Sequence, residues 1–334
     1  MNTRRLLIIL VASCLVAGCG QGMGYIVKPI PVKEDLVETT VSRDPGLFVT
    51  DKVVVVDVDG LLMNHGGDGL LGPQENPVSL FVEKIDKAQK DPDVRALVLR
   101  VNSPGGSVTA TDLMYRRIAE FKQERKVPVV AMIEDVGASG AYYVACGADA
   151  IVAAPTAVTG SIGVLVQTFS LSGTLAKLGI DTKAITSGPM KDMASPFKPL
   201  SADDQMVLQA IVTEFYDRFV DVVAAGRPKL GREAVKALAD GRIYTGTQAV
   251  ANGLADSTGD MKTAVADAKT RSRATAVKVV LYGRPWGYKA NVYSAAPVGG
   301  MQINLLNISV PQLMTWLEPQ FLYLWTGAAG PGGP

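Results

Sequence analysis

The chain has 334 residues, 48% of them hydrophobic and 19% charged, enough for a sizeable globular core and with no sign of extended disorder. Its 33 basic residues balance 32 acidic ones, which leaves no electrostatic footprint for nucleic acid. A single histidine, His65 in the Gly-rich stretch Asn64-His65-Gly66-Gly67, argues against a zinc hydrolase or a His-based triad, so a hydrolytic base is expected to be Lys, Asp or Glu.

Residues 1–18 read as an export signal. Arg4 and Arg5 precede the apolar run Leu6 to Val11, and Leu15-Val16-Ala17-Gly18 leads into Cys19. The run is too short for an ordinary membrane span, and small residues before a cysteine resemble a bacterial lipobox, so Cys19 is expected to carry lipid. The alternatives are a plain secretory signal and an uncleaved anchor. The chain is therefore expected to be an exported bacterial lipoprotein, anchored to the membrane surface and facing the periplasm or the cell exterior. Cys14 would leave with the signal, so Cys146 alone remains in the mature domain and no intrachain disulfide can form. Its apolar setting, Val144-Ala145-Cys146-Gly147, points to a buried structural thiol.

Residues 19–50, with Pro29, Pro31 and the mixed charges of Lys33, Glu34 and Asp35, suit a tether. The folded body is expected to begin near Lys52 and to run over 51–284. Short β-branched runs at Val53–Val58, Ala96–Val101, Val129–Ile133 and Ala150–Ala153 read as strands. Helix-period stripes lie between them: Phe81, Ile85 and Ala88 on one, Met114, Ile118 and Phe121 on the next. Strands alternating with helices imply βαβ units and a mostly parallel sheet. A longer helix over about 203–225 carries Leu208, Ile211, Phe215, Phe219 and Val222 on one face, a core or subunit-interface stripe. The tail, 285–334, is poor in charge and rich in Pro, Gly and large apolar groups such as Trp316, Phe321, Tyr323 and Trp325. Those groups need cover, and folding back onto this chain or a neighbour is the expected outcome, with membrane or substrate-groove contact the alternative.

Three turns stand out, because ligands in α/β folds gather at the carboxyl ends of strands. Asn102-Ser103-Pro104-Gly105-Gly106-Ser107 can turn backbone N–H groups outward as an oxyanion hole or anion nest, or can be a plain turn. In Gly137-Ala138-Ser139-Gly140-Ala141, Ser139 is either a helix N-cap or a nucleophile exposed on a sharp turn. This is not the G-x-S-x-G elbow, since Ala141 stands at the second glycine. In Ser187-Gly188-Pro189-Met190-Lys191-Asp192, Lys191 lies in a low-charge segment where partial burial would favour the neutral amine a base requires. Spacing alone does not separate it from the other lysines.

Together, Asn102-Ser103-Pro104-Gly105-Gly106, Gly137-Ala138-Ser139-Gly140-Ala141-Tyr142-Tyr143, Thr159-Gly160-Ser161-Ile162-Gly163 and Gly188-Pro189-Met190-Lys191-Asp192 resemble the ordered motif set of the SppA-type signal peptide peptidases over roughly residues 50–270. The resemblance implies an α/β fold of the ClpP/crotonase-like class, a repeated ββα superhelix with mostly parallel sheets. It implies a Ser/Lys dyad with Ser139 as nucleophile, Lys191 as base and Ser161 orienting the lysine. The backbone N–H groups of Gly106 and Gly140 would form the oxyanion hole, with no metal or cofactor. Ser139 and Lys191 are 52 residues apart, similar to the half-length members, which form homo-oligomeric rings whose dyads join neighbouring protomers. The implied substrates are residual signal peptides and other short apolar peptides at the membrane. A crotonase-type acyl transfer enzyme and a non-catalytic lipoprotein scaffold are the rival readings.

Overall fold

The structure is a computed structural model that describes residues 35–65, 68–69, 72–73, 75–284 and 320–328. The expected signal and Cys19 lie outside the described residues, as does Trp316.

The chain enters the sheet earlier than expected. Strand β1 (Val37–Arg43) pairs antiparallel with β12 (Lys278–Gly283), and Asp44 accepts a hydrogen bond from the Val277 N–H at 3.0 Å. The folded body therefore begins by Leu36, inside the stretch expected as tether. β1 is an edge strand with mostly exposed, polar side chains, so it carries little of the alternation that marks a half-buried strand.

The valine-rich run expected at Val53–Val58 lies within β2 (Lys52–Leu62). After a small ribbon, β3 (Asp68–Gly69) with β4 (Gly72–Pro73), comes α1 (Pro77–Lys90), whose N-terminus is capped by the Asn76 side chain. β5 (Val94–Ser107), α2 (Val108–Arg125) and β6 (Val129–Ala138) follow, then the short α3 (Gly140–Ala145) and β7 (Ala150–Ala153). The backbone of the fold is the order β1-β12-β2-β5-β6-β7-β11, with β11 at Ser257–Thr258. Every neighbour pair along it except β1–β12 is parallel. The α/β class and the mostly parallel sheet are thus as the sequence implied.

Alternation along the strands feeds two cores. Val54, Val56, Leu97 and Leu99 face α1, α2 and α3 through Phe81, Ile85, Met114 and Tyr142. Val53, Val55, Ala96, Val98 and Met132 face α8 (Met261–Ser272) through Met261, Ala264 and Ala268. Both faces are covered, which is why the strands read as continuous apolar runs.

Two strands run past their expected ends. β5 continues through Pro104, Gly105 and Gly106, and β6 continues to Ala138, so the first two motifs are extensions of strands. Pro and Gly weaken a strand signal, and the β5–β6 register shifts between Val101 and Ser103, where the extensions diverge from the main ladder. Ser107 caps α2, accepting from the Ala110 N–H. The rest of the body is β8 (Val158–Gly160), β9 (Leu165–Gln167), α4 (Ser172–Lys177), α5 (Ala202–Gly226), α6 (Gly231–Leu238), β10 (Ile243–Thr245) and α7 (Gly246–Ala251). The expected long helix is α5, started by a Ser201/Asp204 capping box.

The tail also joins this body. β13 (Gln320–Leu324) pairs antiparallel with β5 and with β9, and Tyr323 is fully buried. For its described part, the expected folding back onto this chain holds.

One buried charge cluster braces the sheet. Lys84 Nζ donates to Asp57 at 2.7 Å and Arg100 Nε donates to the same carboxylate at 2.8 Å. Burial opposes ionisation of Asp57, but the charges and hydrogen bonds of Lys84 and Arg100 outweigh it and hold the carboxyl below its ordinary range. A lowered folded value means that the stabilisation is present above the unfolded carboxylate value and is lost as pH falls through the folded one. Asp57→Ala strips the carboxylate from a buried ammonium and is expected to cost about 3–5 kcal/mol, measured as a fall in urea midpoint at neutral pH. The deficit relative to the parent chain should shrink in acid.

Candidate active site

β6 leads into Ser139, and the backbone there is unusual. Ser139 has φ 53° and ψ −119°, a left-handed region that costs a serine on the order of 1–3 kcal/mol and persists only where the surroundings impose it. Its N–H donates to the Gly160 carbonyl at 2.7 Å, and its carbonyl accepts from the Tyr143 N–H at 2.9 Å. The hydroxyl makes no capping bond to α3. Ser139 thus stands at the N-cap position of α3 without its side chain capping the helix.

β8 brings the second serine alongside. Gly160 has φ 84° and Ser161 has φ 48°, so the chain reverses sharply, and the Ser161 N–H is fixed by the Arg242 carbonyl at 2.8 Å. Ser139 and Ser161 line one cavity of about 490 Å³, whose walls include Val164, Tyr216, Asp240 and Trp325.

The glycines of β5 come close to the same turn. A Cβ on Gly105, whose φ is 103°, would lie 2.7 Å from the Gly140 N and 2.0 Å from the Tyr323 O; one on Gly140 would lie 3.2 Å from the Gly106 N. The backbone nitrogens of Gly106 and Gly140 thus come close together beside the turn that carries Ser139. Gly106 cannot be larger, since its Cβ would sit 1.9 Å from the Leu62 carbonyl oxygen. Behind the turn, the Thr111 hydroxyl is buried without a hydrogen-bond partner.

Lys191 stands apart. It lies exposed in a turn, where its N–H donates to the Gly188 carbonyl at 3.1 Å, and the neighbouring Asp192 pairs with Lys198 at 2.7 Å. It is not among the residues lining the Ser139 cavity. The partial burial expected for Lys191 does not occur within one chain. Ser139, Ser161, Gly106 and Gly140 come together here, and Lys191 does not join them. Cys146 is buried, and burial pushes its thiol up to about 12, as suits a structural thiol.

The sequence reading missed the part of the cavity wall built by Tyr216 and the tail residues Leu324 and Trp325. The stripe on α5 was legible as apolar, but the cavity is lined by other residues of that helix, Gln209, Val212, Thr213 and Tyr216, which the periodicity does not single out.

Comparison with known proteins bears directly on this geometry. Residues 121–275, which include both Ser139 and Lys191, match the model of peptidase family S49. Over 299 residues the chain is 35% identical to a protein of Enterococcus faecium that bears the name signal peptide peptidase SppA, covering 84% of this chain and 85% of that one. The chain belongs to peptidase family S49. A Methanocaldococcus jannaschii protein named as a protease is 36% identical to this S49 member over 217 residues, 65% of this chain and 69% of that one. Among solved structures, the membrane-bound stomatin-specific protease 1510-N in complex with a substrate peptide matches with a TM-score of 0.45 and 16% identity, over 69% of this chain and 91% of that one. The S49 chain is accordingly a serine peptidase, and the acyl-transfer and scaffold readings fall away.

Proposed function

We infer that this S49 peptidase hydrolyses short apolar peptides, residual signal peptides among them, through a Ser139/Lys191 dyad assembled between neighbouring copies. The observation that carries the reading is Ser139 itself, a strained serine with no capping role, set beside the converging N–H groups of Gly106 and Gly140. The exposed, unburied Lys191 supports completion of the site from another copy. So do large apolar side chains left exposed in the same stretch of chain, among them Leu178, Ile180, Ile185 and Met206, which suit a homo-oligomeric ring.

In the reaction, neutral Lys191 Nζ removes the proton from Ser139 Oγ as Oγ attacks the scissile carbonyl. Ser161 would hold the ammonium so formed, and the Gly106 and Gly140 N–H groups would receive the oxyanion. Collapse expels the amine, which takes the proton back from Lys191, and water then attacks the acyl-enzyme with the same lysine as base. A lipid on Cys19 would hold the ring at the membrane surface where such peptides accumulate; among the described residues no helix is long and apolar enough to cross a membrane.

Hydrolysis of a fluorogenic apolar peptide by the parent, Ser139→Ala and Lys191→Ala chains tests the reading, and equal rates in all three would sink it. Gly106→Ala should lower kcat about 10²–10³-fold, because its Cβ displaces the backbone from Leu62 and with it one oxyanion donor. A variant that keeps its melting temperature and its kcat would remove Gly106 from that role.

A further inference from the structure

We propose that Lys198 is a positioning residue for the reaction: its ammonium, set between Asp192 and the buried Asp204, locks the turn that carries Lys191 onto the start of α5. The proposal rests on the assignment of Lys191 as the general base.

Three observations carry it. The first is that the turn does not place itself. Residues 187–200 form turns and bends, and the backbone bonds around the base are local. Lys191 N–H donates to the Gly188 carbonyl at 3.1 Å, Met193 N–H to the Met190 carbonyl at 3.2 Å, and Ser195 N–H to the Asp192 carbonyl at 3.1 Å. Bonds of that span set the curl of the turn, not its position against the body of the fold. A base on a long side chain acts well only from a backbone held in place.

The second is the reach of Lys198. Its Nζ donates to Asp192 Oδ1 at 2.7 Å and lies 3.4 Å from Asp204 Oδ2. An ammonium has three donors and can serve both carboxylates. Asp192 directly follows Lys191, and Asp204 stands in the first turn of α5, so one cation spans from the base-bearing turn to a long helix. It also occupies Asp192, which would otherwise be free to pair with the Lys191 ammonium. The chain at Lys198 is itself tied down: its carbonyl accepts from the Ser170 hydroxyl at 3.2 Å, and the Phe197 carbonyl accepts from the Thr182 hydroxyl at 3.0 Å.

The third is the burial of Asp204. Isolated surface ion pairs contribute little, but the Asp204 side chain is only 1% exposed. It is oriented by the capping box, in which Ser201 Oγ accepts from the Asp204 N–H at 3.0 Å and Asp204 Oδ2 accepts from the Ser201 N–H at 3.4 Å. A buried carboxylate demands a countercharge. Lys198 supplies it, and that demand fixes where the ammonium sits.

The test measures kcat and KM on the fluorogenic peptide for full-length Lys198→Met and Lys198→Arg chains. Lys198→Met should lower kcat about 10- to 100-fold, the scale of a base displaced by an ångström or so. KM should stay within about twofold, because the clamp touches no substrate. Lys198→Arg, whose guanidinium can meet both carboxylates, should keep kcat within about threefold of the parent. An unchanged kcat in Lys198→Met, or an equal loss in Lys198→Arg, would overturn the proposal. Should Lys198→Met fail to fold, Lys198→Gln, which keeps a donor without the charge, takes its place.

Mixed assemblies give a readout that a general loss of packing would not. Lys198 acts on the base of its own chain, so co-assembly of Lys198→Met with Ser139→Ala, which brings an intact base, should return about one quarter of the parent rate. Co-assembly with Lys191→Ala, which brings none, should return nothing above Lys198→Met alone. The opposite pattern places the fault on the serine side and overturns the proposal. Failure of the underlying reading shows separately. Hydrolysis that survives in Lys191→Ala removes the base assignment, whereas inactive mixtures of Ser139→Ala with Lys191→Ala remove only the sharing between copies and leave the kcat comparison to decide.

Discussion

Ser139→Ala is expected to abolish peptide hydrolysis, by roughly 10⁴-fold or more in kcat, the scale seen when a serine peptidase loses its nucleophile. The fold should be nearly indifferent. The Ser139 hydroxyl makes no cap, and alanine meets the same positive φ as serine, so the melting temperature should move by no more than a few degrees. Ser139→Gly separates the two roles of this position. It should be equally inactive yet more stable than the parent, since glycine adopts φ 53° without strain. A Ser139→Gly chain that melts lower than the parent would show that the turn is not strained in the way described. Residual hydrolysis in either variant would move the nucleophile elsewhere.

Lys191→Ala is expected to be comparably damaging to kcat and still more silent in stability, because in a single chain Lys191 is exposed in its turn and surface substitutions of this kind rarely exceed about 0.5 kcal/mol. Lys191→Arg should not restore activity. A guanidinium stays protonated and cannot take the proton from Ser139, whatever its charge does for local packing. An active Lys191→Arg chain would remove the lysine from the reaction. Activity that survives Lys191→Ala would point to a base among the groups already lining the cavity, with Asp240 the nearest in kind.

Much of the scaffold was legible because the strands are buried on both faces. Val53–Val58 and Ala150–Ala153 read as strands from composition alone, since two cores demand unbroken apolar runs. β1 was lost to the expected tether for the opposite reason: an edge strand with polar, exposed side chains looks like linker. Ser139 was ambiguous in sequence, where a cap and a nucleophile look alike. The structure adds that Ser139 stands at φ 53° and makes no capping bond, information that only coordinates carry. The Gly105-Gly106 pair could be read as a turn or as an oxyanion wall. The structure sets it against the Leu62 carbonyl and the Gly140 nitrogen, brought to it from distant parts of the chain. The tail was the least legible feature. Phe321, Tyr323 and Trp325 announced that something must cover them, but not that Tyr323 pairs with Gly106 beside the serine. Lys191 was chosen by its motif rather than by spacing, and a single chain leaves it outside the Ser139 cavity. That separation is the physical ground for placing the site between copies.

Subunit mixing tests that placement most directly. Ser139→Ala and Lys191→Ala chains, each inactive alone, are co-expressed in equal amounts, and the mixed assemblies are isolated and assayed on the fluorogenic peptide. In a symmetric ring whose dyad joins neighbours, about one quarter of the sites should pair an intact serine with an intact lysine, so about one quarter of the parent activity should return. Mixed assemblies of confirmed mass that remain inactive would contradict a dyad shared between copies.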